Sequence, residues 1–211
     1  MLRPVPLDPK SAPLPQRIKR LLDDADKRIE RLVHERRETP MPAFVPSDFV
    51  DTYWALTAIE DLGLAPGHRF CEWGSGAGVV TLLAATLGLD AIGVEIEEDL
   101  VDLAVALGED HEIEADFVCA SFVPDGGDEI LDDLHAGDQQ DCTWLRSDGQ
   151  NAYELLDLEP DDFDLVFAYP WPGEERMVFD LFDEFAAEGA LLLTYHGQEG
   201  LRLQRKAKRK R

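Results

Sequence analysis

The 211-residue chain predicts an α/β domain built on a doubly wound, mostly parallel sheet. Three observations carry this expectation. Short apolar runs alternate with helical stretches of ten or so residues between Arg69 and Tyr195, the pattern of a sheet covered on both faces. A glycine-rich turn follows the first of these runs, and an acid ends the second. The composition, 45% hydrophobic, fills one core of this size but not two large ones.

In chain order, residues 1–16 are rich in proline and are expected to be extended or mobile. Ile18, Leu21, Leu22, Ala25, Ile29, Leu32 and Val33 then recur at helical spacing and predict an amphipathic helix that ends before Thr39-Pro40. Its apolar stripe is expected to dock on the domain, with a homodimer contact through this helix as the alternative. Ser47 is placed to cap a second helix that carries Phe49, Val50, Tyr53, Trp54, Leu56 and Ile59 and stops at Gly63.

Strands are then expected at Arg69–Trp73, Ala91–Glu95, Asp116–Ala120, Asp162–Ala168 and Ala190–Tyr195, separated by helices over 78–87, 97–107 and 176–187. Residues 123–161 fit no simple strand-helix step and read as an insert, with Thr143-Trp-Leu as a candidate added strand. The division expected is an arm and helix over 1–43, a main domain over 44–197 and a basic tail over 198–211, the tail read as a disordered, solvated end, with docking on the acidic body or RNA binding as the alternatives.

Charge is unevenly placed. Residues 1–37 hold 10 Lys/Arg against 6 Asp/Glu, and residues 202–211 hold 7 basic residues and no acids. The stretch between keeps Arg69, Arg146 and Arg176 against 38 acids, which brings the chain to a net charge of −24. Such a body repels phosphate backbones and attracts cations, so nucleic acid is expected to engage the basic tail alone, and a basic protein is the favoured partner. Solubility or adaptation to high salt explains the same acidity. No apolar run approaches the roughly 18 residues of a membrane span, and no secretory signal opens the sequence. Cys71, Cys119 and Cys142 form no pair of metal or disulfide spacing, and the histidines form no metal motif. The expectation is a cytoplasmic, acidic protein with no membrane contact and no metal.

The stretch richest in chemistry is Phe70-Cys-Glu-Trp-Gly-Ser-Gly-Ala-Gly78. Glycines at alternate positions allow a tight turn and let a ligand approach backbone N–H groups. Glu95 ends the second strand, 23 residues past Glu72, where a carboxylate can accept from both hydroxyls of a ribose. A dinucleotide fingerprint would need a small residue at Val79, and a pyrophosphate would be repelled by Glu72. A cationic ligand suits Glu72.

The acid-x-Gly-x-Gly-x-Gly turn with Glu95 resembles the seven-strand class I methyltransferases, over about residues 44–196. The resemblance implies a Rossmann-like fold, methyl transfer from S-adenosylmethionine and release of S-adenosylhomocysteine. It places Glu72, Gly74, Ser75, Gly76 and Gly78 around the methionine part, Glu95 on the ribose and Ile96 beside the adenine. Where the family often has Gly-Asp after the third strand, this chain has Ala120-Ser121, so Ser121 offers only a hydroxyl; Asp148 substitutes if the insert folds back. The family's last two strands have no match after Tyr195, which leaves the sheet either truncated or closed in another way.

Ala43-Phe-Val-Pro-Ser47 is similar to an element of short protein-lysine methyltransferases that would give Ser47 a cofactor contact besides its capping role. Ala168-Tyr-Pro-Trp171 aligns with the Asp/Asn-Pro-Pro-aromatic turn of amino-directed methyltransferases. It keeps one proline and the aromatic, while Ala168, counted with the cofactor contacts, replaces the polar residue. Tyr169, Trp171 and Glu174 are the acceptor-side candidates, and His196 is the candidate base. The expected activity is methylation of an amine on a basic protein. The alternatives are a nucleic-acid or small-molecule methyltransferase, or a catalytically silent module that keeps the cofactor fold.

Overall fold

The computed structural model describes residues 1–10, 12–36, 46–130, 150–171 and 173–208. Among the described residues seven strands form one sheet: β1 (Leu2–Pro4), β2 (Arg69–Trp73), β3 (Asp90–Glu95), β4 (Asp116–Cys119), β5 (Leu165–Ala168), β6 (Leu191–Tyr195) and β7 (Leu201–Lys206). Their order is β1-β7-β6-β5-β2-β3-β4. The five strands from β2 to β6 are mutually parallel, whereas β7 runs antiparallel to both β6 and β1.

Helices α1 (Gln16–Glu35), α2 (Phe49–Asp61), α3 (Val79–Thr86), α4 (Glu98–Asp110), α5 (Ala152–Leu156) and α6 (Glu175–Phe185) cover the two faces. Alternation along the strands divides the core. Phe70, Ala91, Leu165, Phe167, Leu191 and Leu193 point to the side of α1, α2 and α3. Cys71, Trp73, Ile92, Val94, Val166, Ala168 and Leu192 point to the side of α5 and α6. The doubly wound α/β expectation describes this arrangement.

The sheet is not truncated. The segment expected to be a disordered tail supplies β7, and the proline-rich arm supplies β1, so both extensions close one edge of the sheet. Leu203 is buried on the core side. Arg205 donates to Gly189 O at 3.0 Å and Leu64 O at 2.8 Å, and Lys206 donates to Glu184 O and Ala186 O. Basic side chains thus satisfy carbonyls at helix and loop ends, where positive charge is favoured.

The stripe of α1 (Ile18, Leu21, Leu22, Ala25 and Ile29) is buried in the domain's own core. Ion pairs fasten its other side to α4: Arg28 with Asp110 at 2.6 Å, and Arg36 with Asp99. Asp48, not Ser47, caps α2, accepting from Val50 N at 3.1 Å and Asp51 N at 2.9 Å. Residues 39–45, the histidine at 135, Cys142, Thr143-Trp-Leu, Arg146 and Asp148 lie outside the described residues.

From β2 the chain steps outward to β3 and β4, then returns past β2 to β5 and β6. The connections leaving β2 and β5 therefore diverge, which opens a crevice at the carboxyl ends of this pair.

Candidate functional site

A cavity of about 260 Å³ occupies that crevice. Its floor is the glycine turn Gly74–Ala77, and its walls come from the ends of β3, β4 and β5 together with Pro46, Ser47 and Phe49 ahead of and at the start of α2. The turn is tight because Gly74, Gly76 and Gly78 all have positive φ, at 70°, 53° and 71°. Gly74 N and Ser75 N both donate to Val94 O at 2.9 Å, which ties the turn to the neighbouring strand.

The structure brings Ser47, Glu72, Gly74, Ser75, Gly76, Glu95, Ile96, Ser121, Ala168, Tyr169, Trp171 and Glu174 to this one cavity. Two expected residues stand elsewhere. Gly78 starts α3, and a Cβ there would lie 2.5 Å from both Ala104 Cβ and Phe117 Cε1, so its smallness serves helix packing. His196 binds Thr194 Oγ1 at 2.8 Å, with the Phe179 ring 6.3 Å away, and is not among the cavity residues. Burial, followed by the charge of Arg202, lowers its pKa. Its ring is engaged by Thr194 and does not stand over the crevice as a base.

Glu72 and Glu95 are 4% and 9% exposed. Glu72 faces α3, where its Oε2 accepts from Thr81 N at 2.8 Å and Thr81 Oγ1 at 2.6 Å. Burial pushes its carboxyl up to about 8, opposed by the two Thr81 bonds. Glu95 Oε2 accepts from Gly76 N at 2.8 Å, and Oε1 accepts from Ile96 N at 2.7 Å and Glu97 N at 3.0 Å. Burial also raises the Glu95 pKa, against those three backbone donors. A carboxylate offers about four lone-pair sites, so three amides leave Glu95 one further acceptor position, on Oε2. The open two-hydroxyl clasp expected of Glu95 is therefore partly filled by its own turn.

Sequence reasoning missed several lining groups. Phe122 stacks on Trp73 with centroids 5.3 Å apart and planes 7° from parallel, and Leu100, Met177 and Val178 complete an apolar wall. These positions read as ordinary core residues, and nothing in their spacing sets them apart. Ser121 Oγ accepts from Val123 N at 3.2 Å and keeps its hydroxyl proton to donate. On the far side Tyr169 meets Tyr195 edge to face at 4.9 Å. Glu174 holds Trp171 N at 3.0 Å and Glu175 holds Gly173 N at 2.9 Å, so both acids brace the proline turn.

Glu72, Glu95, Glu97 and Glu174 give the cavity four carboxyl groups, while its described lining contains no Lys, Arg or His. Such a wall favours a ligand that carries positive charge and disfavours a pyrophosphate. Among the described residues no group of three or more His, Cys, Asp or Glu is arranged to hold a metal ion, and no helix is long and apolar enough to cross a membrane.

No protein-family model and no curated protein matches the sequence. Solved structures do match. The chain is similar to an RNA methyltransferase from Salinibacter ruber in complex with S-adenosyl-L-homocysteine, at 15% identity and a TM-score of 0.50, over 80% of this chain and 97% of that one. It is also similar to an O-methyltransferase from Bacillus cereus in complex with the same compound, at 16% identity and a TM-score of 0.51, over 86% of this chain and 66% of that one. The fold is that of the class I methyltransferases. Within the class I fold, this chain completes its sheet with a strand from each end of the sequence, β1 and β7, and keeps its acids at the ends of β2 and β3.

Proposed function

We propose that the cavity binds S-adenosylmethionine and that the protein transfers its methyl group to an amine on a basic protein. The observation that carries this reading is the cluster of four carboxyl groups around an open glycine turn, with no cationic side chain among the described lining residues. The turn fits the compound: a Cβ placed on Gly74 would meet no protein atom within 4 Å, so there is room for a ligand against the backbone. The S-adenosylhomocysteine in the two solved relatives supports the same reading.

Glu72 would hold the ammonium end, Glu95 a ribose hydroxyl through its remaining acceptor position, and Ile96 and Phe122 the flat base. When bound, the compound supplies a methyl carbon already activated by a positive sulfur. The protein's task is then to align the acceptor and exclude water. Tyr169 and Trp171 offer ring faces to a cationic side chain at the mouth, and Glu174 keeps the Trp171 backbone in place. An amine must lose its proton to attack, and the acidic wall opposes that loss. The acceptor nitrogen therefore has to reach the methyl next to Tyr169, where its proton can pass to water.

The test is transfer of radiolabelled methyl groups to a cell lysate, with and without nuclease. Label in protein bands is the expected result. Label that vanishes with nuclease would move the acceptor to nucleic acid. Tight binding with no transfer would make the chain a silent module, a reading that Ala168 and the self-occupied Glu95 favour.

A further inference from the structure

The glycine at the start of α3 creates a need that β2 meets. Gly78 takes the N-cap position and has no side chain to receive the first N–H groups of the helix. Glu72 supplies the acceptor from the adjacent strand. Thr81, the third residue of α3, donates to it twice, from the backbone at 2.8 Å and from the hydroxyl at 2.6 Å. Both bonds land on Oε2. Among the described residues none donates a hydrogen bond to Oε1, and the residue lines the cavity beside Gly74.

Two influences on the charge of this carboxyl oppose each other. Burial and the Glu95 carboxyl favour the neutral acid, whereas the two Thr81 donors and the positive end of α3 favour the anion. The other ionisable groups around the cavity are Glu97 ahead of α4, and Tyr169 and Glu174 on the β5–α6 turn. None of these is a cation. Among the described residues none brings a positive charge to Glu72, so a ligand ammonium or sulfonium would supply one and tip it to the anion.

We infer that Thr81 is a positioning residue: it fixes Glu72 through Oε2 and leaves Oε1 for the ligand, so that this buried acid gives up its proton when a cation is captured at the glycine turn, with Thr81 setting the pH at which it does so. This rests on the proposal that the cavity takes S-adenosylmethionine, and it adds a regulation that the proposal does not require. Affinity then rises with pH while Glu72 is neutral in the free protein, by about tenfold per pH unit for one released proton, levels off once Glu72 is already ionised, and falls where the ligand's own ammonium loses its proton.

The experiment is titration calorimetry of the full chain with S-adenosylmethionine between pH 6 and 9, in two buffers of different ionisation enthalpy. Wild type is expected to release a proton near neutrality and to bind more tightly as pH rises. Thr81→Val keeps the shape and the backbone bond but loses the hydroxyl, so the levelling-off point moves to higher pH and affinity at pH 7 falls by about tenfold, equivalent to about one pH unit. Thr81→Ser restores the wild-type profile. Glu72→Gln, which still accepts from Thr81, loses the rise of affinity with pH and keeps only the fall common to all variants as the ligand's own ammonium titrates. A Thr81→Val profile that superimposes on wild type, or a rise of affinity with pH that survives in Glu72→Gln, overturns the inference while leaving the cofactor reading intact. No binding by wild type at any pH overturns the cofactor reading, and this inference with it.

Discussion

Glu95 Oε2 accepts the Gly76 N–H at 2.8 Å, so the acid that ends β3 also holds the glycine turn that follows β2. The side chain is both a ligand contact in waiting and a strut. Its three amide donors offset the cost of burying a carboxylate, since a charged hydrogen bond contributes about 1.5–3 kcal/mol. Removing it leaves three backbone N–H groups without acceptors and frees the turn to drift. Glu95→Ala is expected to weaken S-adenosylmethionine binding by about tenfold or more by calorimetry, and to lower the melting temperature as well. An unchanged affinity would count against a sugar contact at this residue.

The turn glycines separate binding from packing. Gly74 and Gly78 have nearly the same φ, 70° and 71°, so an alanine at either meets the same left-handed strain, about 1–2 kcal/mol. Their surroundings differ. A Cβ at Gly74 meets no protein atom within 4 Å, while one at Gly78 lies 2.5 Å from Ala104 Cβ. Gly78→Ala should therefore lose more stability, by a further 1–3 kcal/mol for overpacking. Gly74→Ala should lose only that strain yet bind S-adenosylmethionine far more weakly. Chemical denaturation and calorimetry on the two variants check the contrast. Equal losses of stability would mean that the turn has no open side.

Much of this was legible in the sequence because local pattern and tertiary role coincide there. The strand before the turn, the helix after it and the acid at the next strand end follow from apolar period and glycine placement. The cavity then assembles where a parallel sheet changes direction. Other parts were hidden by competing signals. In Leu201-Arg-Leu-Gln-Arg-Lys206 an alternation proper to a strand is masked by a run of cations that reads as a solvated tail. Ser47 and Asp48 are adjacent residues of the same capping type, and backbone geometry decides in favour of Asp48. Gly78 belongs to the right motif but answers to Phe117 and Ala104, neighbours brought close by the fold. His196 follows a strand end at the same edge, but its ring turns to Thr194. Phe122 and Met177 carry no polar signal and are recognisable only once the wall exists.

Glu72 should make the fold less stable as the medium becomes more alkaline. Its carboxyl titrates near 8 in the folded chain, above the usual glutamate value of about 4.3 in an unfolded one. A raised value means that the neutral acid suits the fold. The contribution is complete below about pH 4 and is lost progressively as pH climbs through 8. Glu72→Gln keeps the Thr81 bonds and removes the titration, so it is expected to exceed wild type in melting temperature at pH 8–9 and to lose that advantage near pH 5. Thermal unfolding followed by circular dichroism across this range is the measurement. A wild type that outlasts the glutamine variant at pH 9 would contradict the burial of an ionisable group here.

Salt sets two electrostatic effects against each other. Arg28 bridges Asp24 at 2.8 Å and Asp110 at 2.6 Å, and His111 Nε2 lies 3.0 Å from Asp24, so the basic helix α1 is pinned to the acidic α4 by contacts that salt weakens. These pairs are partly solvated, and each is worth about 0–1 kcal/mol. Against them stands the mutual repulsion of 38 acids faced by three arginines over residues 38–201, a long-range penalty that added ions relieve. The Debye length falls from about 10 Å at 0.1 M to about 3 Å at 1 M, which removes most repulsion between surface carboxylates while contacts under 3 Å retain part of their strength. Repulsion should dominate, and the melting temperature is expected to rise by several degrees between 0.1 and 1 M KCl, where about 1 kcal/mol corresponds to roughly 2–4 °C for a chain of this size. Arg28→Ala separates the two effects. It should lower the melting temperature at 0.1 M and approach wild type at 1 M. A wild type that melts earlier in high salt would show that the α1–α4 ion pairs outweigh the repulsion of the acidic body.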